Sequence, residues 1–270
     1  MDGIRIENVS KAFVLRHNRS LSLKSRFVGL FHRRYRETTE QLLAVDNVSF
    51  SVAAGSCMGI VGLNGSGKST LLKIVAGILA PSSGYVKMAV AARVGTLIQL
   101  GVGFCPELTG IENIYLNGSL YGFGRTEIAE VYDDILAFAE LERFIDTPLK
   151  NYSSGMYARL GFSIMAHLPM DIMLIDEVLS VGDQAFSRKC LARMAEFKQR
   201  GRTILFVSHA PGAVKDFCDQ AVLLHEGKML GQAEPGMLLD VYGRMAEREI
   251  SPASAAAELA GASANPAAAL

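Results

Sequence analysis

The nine residues Gly62-Leu63-Asn64-Gly65-Ser66-Gly67-Lys68-Ser69-Thr70 constrain this chain more than any other stretch. An apolar run at 57–62 leads into them, and an amphipathic run from Lys68 to about residue 79 leads away, stopped by Pro81 and Gly84. Strand, glycine-rich turn and helix in that order match the pattern GxxxxGK[ST]. The glycines let the backbone fold tightly, so that several N–H groups converge on phosphate oxygens. The helix start adds partial positive charge. Lys68 brings a full charge for the β- and γ-phosphates, and the Ser69 hydroxyl can ligate Mg²⁺. The bland alternative is a turn that merely precedes Lys-Ser; the strand and helix on either side argue against it.

A second acidic feature lies about a hundred residues on. Asp171-Ile-Met-Leu-Ile-Asp176-Glu177 is an apolar run ending in paired carboxylates. In a parallel sheet such residues stand at the carboxyl edge, where ligands bind. Asp176 is the expected Mg²⁺ holder, and Glu177 the group that polarises an attacking water. Alone the pattern is weak, because any exposed strand end can carry Asp-Glu. His209 follows another apolar run in Phe206-Val-Ser-His-Ala and is placed to reach the γ-phosphate. The other four histidines have no such setting and read as solvated or packed side chains.

The alternation of short apolar runs (172–175, 203–207, 221–224) with helical patterns (126–144, 156–166, 188–200) indicates an α/β fold with a parallel sheet covered on both faces. Residues 4–9 and 45–52 alternate like exposed strands. Between them, at about 16–40, lies a basic insertion. Its Leu23, Phe27, Leu30, Phe31 and Tyr35 recur at helical spacing opposite Lys24, Arg26, Arg33 and Arg36. Such a face suits either an anionic membrane leaflet or the flank of a sheet. After about residue 248 the chain turns Ala- and Ser-rich, and 249–270 is expected to be a disordered tail.

Lys plus Arg and Asp plus Glu balance at 27 each, so no global basic signal points to nucleic acid. Cys57, Cys105, Cys190 and Cys218 form no CxxC pair, which speaks against zinc and disulfides and for reduced thiols. The amino-terminal residues lack the apolar run of a signal peptide. No stretch is apolar enough to span a bilayer; 85–104, the best, contains Lys87 and Arg93. The chain is therefore expected to be soluble, with any membrane role supplied through a partner.

Asn151-Tyr152-Ser153-Ser154-Gly155-Met156 narrows the class. It resembles the signature of ABC ATPases, usually LSGGQ, matching at Ser153 and Gly155 and departing at Tyr152, Ser154 and Met156. The resemblance implies a P-loop (RecA-like) core with an antiparallel β subdomain and a helical subdomain at about 105–170, within an ATPase domain spanning 1–248. It implies that Ser153, Ser154 and Gly155 close over the ATP held by a second copy, in a head-to-tail dimer. Ser180-Val-Gly-Asp183 resembles the D-loop, with Asp183 as the matching acid. Gln99 is the best match to the Q-loop glutamine and a Mg²⁺ contact, although the segment after it is longer and richer in glycine than usual. Phe13 matches the adenine-stacking position; packing into the core is the alternative.

Tyr-Ser-Ser-Gly-Met, Ile-Asp-Glu-Val-Leu-Ser-Val-Gly-Asp and the run at 103–118 are similar to the polysaccharide and polyol-phosphate exporter branch, above all to O-antigen export ATPases, over nearly the whole chain to about residue 245. The implied partners are a polytopic membrane permease and a lipid-linked glycan, at the cytoplasmic face of the inner membrane, with no nucleic acid. Some members carry an appended sugar-binding β-sandwich; only the Ala-rich tail stands in that position here. Teichoic-acid or capsule export is the nearest alternative. A nutrient importer, a nucleic-acid-directed ABC ATPase and a small-molecule kinase fit less well. Chromosome-organising types need long heptad segments, and a kinase needs neither the signature nor His209.

Overall fold

The computed structural model describes residues 2–17, 38–98, 101–176, 183–208 and 211–264. The chain runs through β1 (Asp2–His17), β2 (Thr38–Ala53), β3 (Cys57–Val61) and α1 (Lys68–Val75). Next come β4 (Ser83–Met88), β5 (Val94–Leu97), α2 (Gly110–Leu120), α3 (Arg125–Ala139) and α4 (Ser154–His167). The remainder is β6 (Ile172–Ile175), α5 (Gln184–Gln199), β7 (Thr203–Val207), α6 (Pro211–Phe217), β8 (Gln220–His225), β9 (Lys228–Ala233), α7 (Pro235–Ala246) and α8 (Pro252–Ala264).

Two sheets form. β1 pairs antiparallel with β2 on one edge and β4 on the other. The second sheet runs β5-β6-β7-β3-β8-β9, parallel from β5 to β8, with β9 antiparallel. Its central strands are buried on both faces, which is why they read as unbroken apolar runs. Ile60, Leu174 and Leu205 face a core shared with Leu71 and Leu72 of α1 and with Ile4 and Val48 of the antiparallel sheet. Val61, Met173 and Phe206 face the opposite core, with Phe162 of α4 and Phe186 of α5. Each large side chain buried this way contributes about 1.5–3 kcal/mol. All four cysteines are free.

The helical subdomain is fixed by local polar bonds. Thr109 and Glu112 form a reciprocal cap at the start of α2. Buried Asn113 donates to the carbonyls of Cys105, Leu108 and Thr109 and accepts from the Cys105 N–H, so one side chain shapes the whole turn before the helix.

Several boundaries differ from the sequence expectation. The strands read over 4–9 and 45–52 run from Asp2 to His17 and from Thr38 to Ala53, and the helix read from 188 starts at Gln184. The helix read over 126–144 ends at Ala139, because Glu140 adopts φ 58° and turns the chain. The helix read to about 79 ends at Val75, where Gly77 takes φ 71°. The expectation of disorder after residue 248 is corrected over Pro252–Ala264, which is helical. Alanine is the strongest helix former, and Ala255 and Leu259 are fully buried. Gly231 of β9 leaves room for Leu259: a Cβ there would stand 2.4 Å from the Leu259 Cβ. The helical reading of the basic insertion concerns residues 18–37, outside the described residues.

Candidate nucleotide-binding site

β3 delivers the chain at the carboxyl edge of the sheet, and residues 62–67 turn it into α1. Backbone from three directions confines that turn. A Cβ on Gly62 would lie 2.2 Å from the Leu224 carbonyl, and one on Gly67, at φ 100°, would lie 2.3 Å from the Ala44 carbonyl. The Gly227 N–H donates to the Ser66 carbonyl across 3.0 Å. The conformation is thus imposed by β2, β8 and the β8–β9 turn, and glycine is the only residue that fits at 62 and 67.

Within the loop, Lys68 is 5% exposed, and its Nζ donates to the Gly62 carbonyl at 2.8 Å and the Leu63 carbonyl at 3.0 Å. Burial pushes its ammonium below the usual value, while the Asp176 carboxylate opposes that fall. The structure therefore brings Lys68 and Asp176 within electrostatic reach, although they are far apart in sequence. Ser66 is buried, and its Oγ is the only buried side-chain polar atom without a hydrogen-bond partner among the described residues. Asn64, Gly65 and Ser69 are exposed at the rim, and Thr70 is half-buried on α1. An orphaned hydroxyl beside a lysine at a helix start fits a phosphate chain. Ser69 and Asp176 offer the hard oxygen donors that Mg²⁺ takes when phosphates and waters complete its shell.

Gln99, Glu177 and His209 lie outside the described residues. The strands before them, β5, β6 and β7, end side by side on the edge where β3 feeds the loop: Leu97 pairs with Ile175, Ile175 with Phe206, and Ile60 with Val207. Phe13 stands opposite Leu42 on β2, two residues from Ala44, whose carbonyl abuts Gly67. It is half-buried, belongs to neither core, and has the Lys11 ammonium 5.5 Å from its ring centre.

Ser153, Ser154, Gly155 and Asp183 gather elsewhere, around a cavity of about 650 Å³. Ser153 caps α4, its Oγ accepting the Met156 N–H at 3.2 Å. A Cβ at Gly155 would meet only the Ser153 Oγ, at 3.9 Å, so nothing inside the fold demands glycine there. Asp183 caps α5 through the Phe186 N–H at 2.9 Å and accepts from Arg159 at 2.5 Å. These bonds hold its carboxyl below the usual carboxylate range, the Phe186 N–H foremost. Arg159 also donates to Glu140 at 2.8 Å, and Lys189 donates to the same carboxylate at 2.8 Å. Sequence reading missed Glu140 and Arg159. Arg159 lies on the helix that Ser153 caps, but no local pattern links it to Glu140.

A phosphate loop, an acidic strand end and a separate serine–glycine helix start define an ATP-binding cassette. The family model described as ABC transporter matches residues 45–180, and the chain belongs to that family. It groups with the ATP-binding subunits of polysaccharide exporters. It is 43% identical to the O-antigen export system ATP-binding protein RfbB of Klebsiella pneumoniae, over 88% of this chain and 96% of that one. It is also 43% identical to the teichoic acids export ATP-binding protein TagH of Bacillus anthracis, over 88% of this chain but 42% of that longer protein. Among solved structures, the dimeric ATP-binding cassette MJ0796 in a post-hydrolysis state with ADP and phosphate aligns with TM-score 0.66 at 21% identity, covering 86% of this chain and 98% of that one.

Proposed function

We propose that this chain is the ATPase that drives export of a lipid-linked polysaccharide across the cytoplasmic membrane, working as a head-to-tail pair beneath a polytopic permease. The observation that carries the reading is the separation of two half-sites. The loop around Lys68 lines no part of the cavity beside Ser153, which supports a nucleotide shared between copies. Gly155, where an added Cβ would meet only the Ser153 Oγ at 3.9 Å, leaves the approach free for a partner's γ-phosphate. The relatives named for O-antigen and teichoic acid export support the substrate class.

In this reading Lys68 and the loop N–H groups grip the phosphates, and Ser66 gains the partner it lacks. Ser69 and Asp176 would hold Mg²⁺, which supplies charge neutralisation between the β- and γ-phosphates when bound. Phe13 supports the adenine, and Glu177 takes the proton of the attacking water. Gln99 would add a Mg²⁺ contact, and His209 completes the γ-phosphate surroundings. Val102 and Leu120 are more than half exposed on the helical subdomain, a suitable footing for the permease near Gln99. Among the described residues no helix is long and apolar enough to cross a membrane, so the membrane attachment in this proposal comes from the permease and the basic insertion.

The test is Glu177→Gln. ATPase activity should fall by about a hundredfold or more, as loss of a general base does, and sizing in MgATP should show a trapped dimer. Unchanged turnover would remove Glu177 from its role. Neutralising Arg33, Arg34 and Arg36 should weaken export in membrane vesicles and spare basal ATPase; equal loss of both would make the insertion structural.

A further inference from the structure

Tyr152 stands where the ABC signature usually has Leu, and its hydroxyl has a defined task. It donates to the Phe144 carbonyl across 2.8 Å. The same carbonyl accepts the Thr147 N–H, and the Phe144 N–H donates to the Leu141 carbonyl. Gly110 makes way for this arrangement, since a Cβ there would lie 2.6 Å from the Tyr152 hydroxyl. The backbone of Phe144 is pinned, yet its ring is left 46% exposed. That ring, with Leu141, forms a wall of the cavity whose other side is Ser153, Ser154 and Gly155.

A volume of about 650 Å³ is far more than one phosphoryl group fills and lies in the range of small-molecule sites, roughly 300–1,000 Å³. Its walls differ in chemistry. One offers a capped helix start of the kind that receives anions, the other the exposed Phe144 ring. The Glu140 and Asp183 carboxylates that also line the cavity are both held by Arg159. A ligand with an anionic end and a flat apolar end is a nucleoside phosphate. The chain's own phosphate loop lines none of this cavity, and in the head-to-tail reading the nucleotide that reaches it belongs to another copy.

We propose that Phe144, held in place by Tyr152, packs against the nucleoside of the ATP bound by the partner copy, so that each nucleotide is gripped by Phe13 of one subunit and Phe144 of the other. The inference rests on the head-to-tail reading above. Phe144 is then a specificity-determining contact, and Tyr152 a positioning residue.

The chain contains no tryptophan, so Phe144→Trp in the Glu177→Gln protein gives a single emission signal. Titration with MgATP, followed in parallel by sizing, should change that emission in step with dimer formation and with protein concentration. In the protein with Glu177 intact, Phe144→Ala should raise KM for ATP roughly two- to tenfold, the range of ordinary aromatic pairing, with little change in kcat. Tyr152→Phe should raise KM by a smaller factor. A dimer on sizing with unchanged emission, or an unchanged KM in Phe144→Ala, overturns the contact and leaves the dimer standing. A protein that stays monomeric in MgATP overturns the head-to-tail reading and this inference with it.

Discussion

Replacing Ser66 by Ala should strengthen the nucleotide-free protein and weaken the nucleotide-bound one. Ser66 is 3% exposed, and its hydroxyl has no hydrogen-bond partner among the described residues. It is wedged against Gly62, where an added Cβ would lie 2.6 Å away. A buried hydroxyl left unpaired costs about 1–3 kcal/mol. Taking the low end, because the deletion also leaves a small void, Ser66→Ala should gain about 1 kcal/mol without ligand. For a chain of this size that is about 2 °C in Tm. With nucleotide the sign reverses. A hydrogen bond to a charged group contributes about 1.5–3 kcal/mol, so Kd for ATP should rise about tenfold or more. Thermal melts across a MgATP titration read both effects, because ligand adds RT ln(1 + [L]/Kd) to stability. The variant should melt above wild type in buffer and below it at high MgATP, the curves crossing between. A variant that melts below wild type in buffer refutes the reasoning, for it would mean the hydroxyl already has a partner that stabilises the free fold.

Two further outcomes follow from packing. Burial pushes the His167 imidazole below its usual value, its Nδ1 lying 2.8 Å from the Ser163 carbonyl and its ring 5.1 Å from that of Phe138. The unfolded chain takes up a proton near pH 6.5 while the folded one resists, so stability should be full above that value and decline as pH falls toward the lower folded value. His167→Gln should flatten the slope of urea-melt stability between about pH 7 and 5; equal slopes would show that His167 is not the group responsible. Gly231→Ala should force α8 off β9 at a cost of about 1–3 kcal/mol. Trypsin cleavage at Arg244 and Arg248 should then accelerate, and Leu259→Gly in the same chain should relieve the clash; wild-type cleavage rates in Gly231→Ala would show that α8 yields without undocking.

The phosphate loop, β6 and β7 were legible because each announces itself locally: apolar strand, then chemistry at its end. β5 has four residues, too few for periodicity to separate strand from loop. β4 is largely exposed, so its pattern carries little burial signal. α8 was misread for a different reason. Its alanines look like low complexity, and what docks it is the missing side chain of Gly231, a fact about another element. The Glu140–Arg159–Asp183 contacts were invisible for the same cause. Their partners lie 19 and 24 residues apart and meet only through the packing of α3, α4 and α5. Among the candidate site residues, Lys68 and Asp176 come from motifs, but their electrostatic proximity comes from the parallel sheet. Phe13 is named from the resemblance, and the β1–β2 register adds that it stands opposite Leu42, two residues from Ala44.

That register has a bearing on how such a chain can change. His17 and Thr38 face each other across the last pair of the hairpin, so the basic insertion leaves and returns at neighbouring points. Six residues of β2, roughly 20 Å of extended chain, separate that exit from Ala44 at the phosphate loop. Lengthening a connection between already paired ends adds little, about 0.6 kcal/mol per doubling. The insertion can therefore be shortened, extended or exchanged while the geometry around Lys68 stays as it is. A single connection at the far end of a hairpin is thus open to change in length without redrawing the phosphate loop.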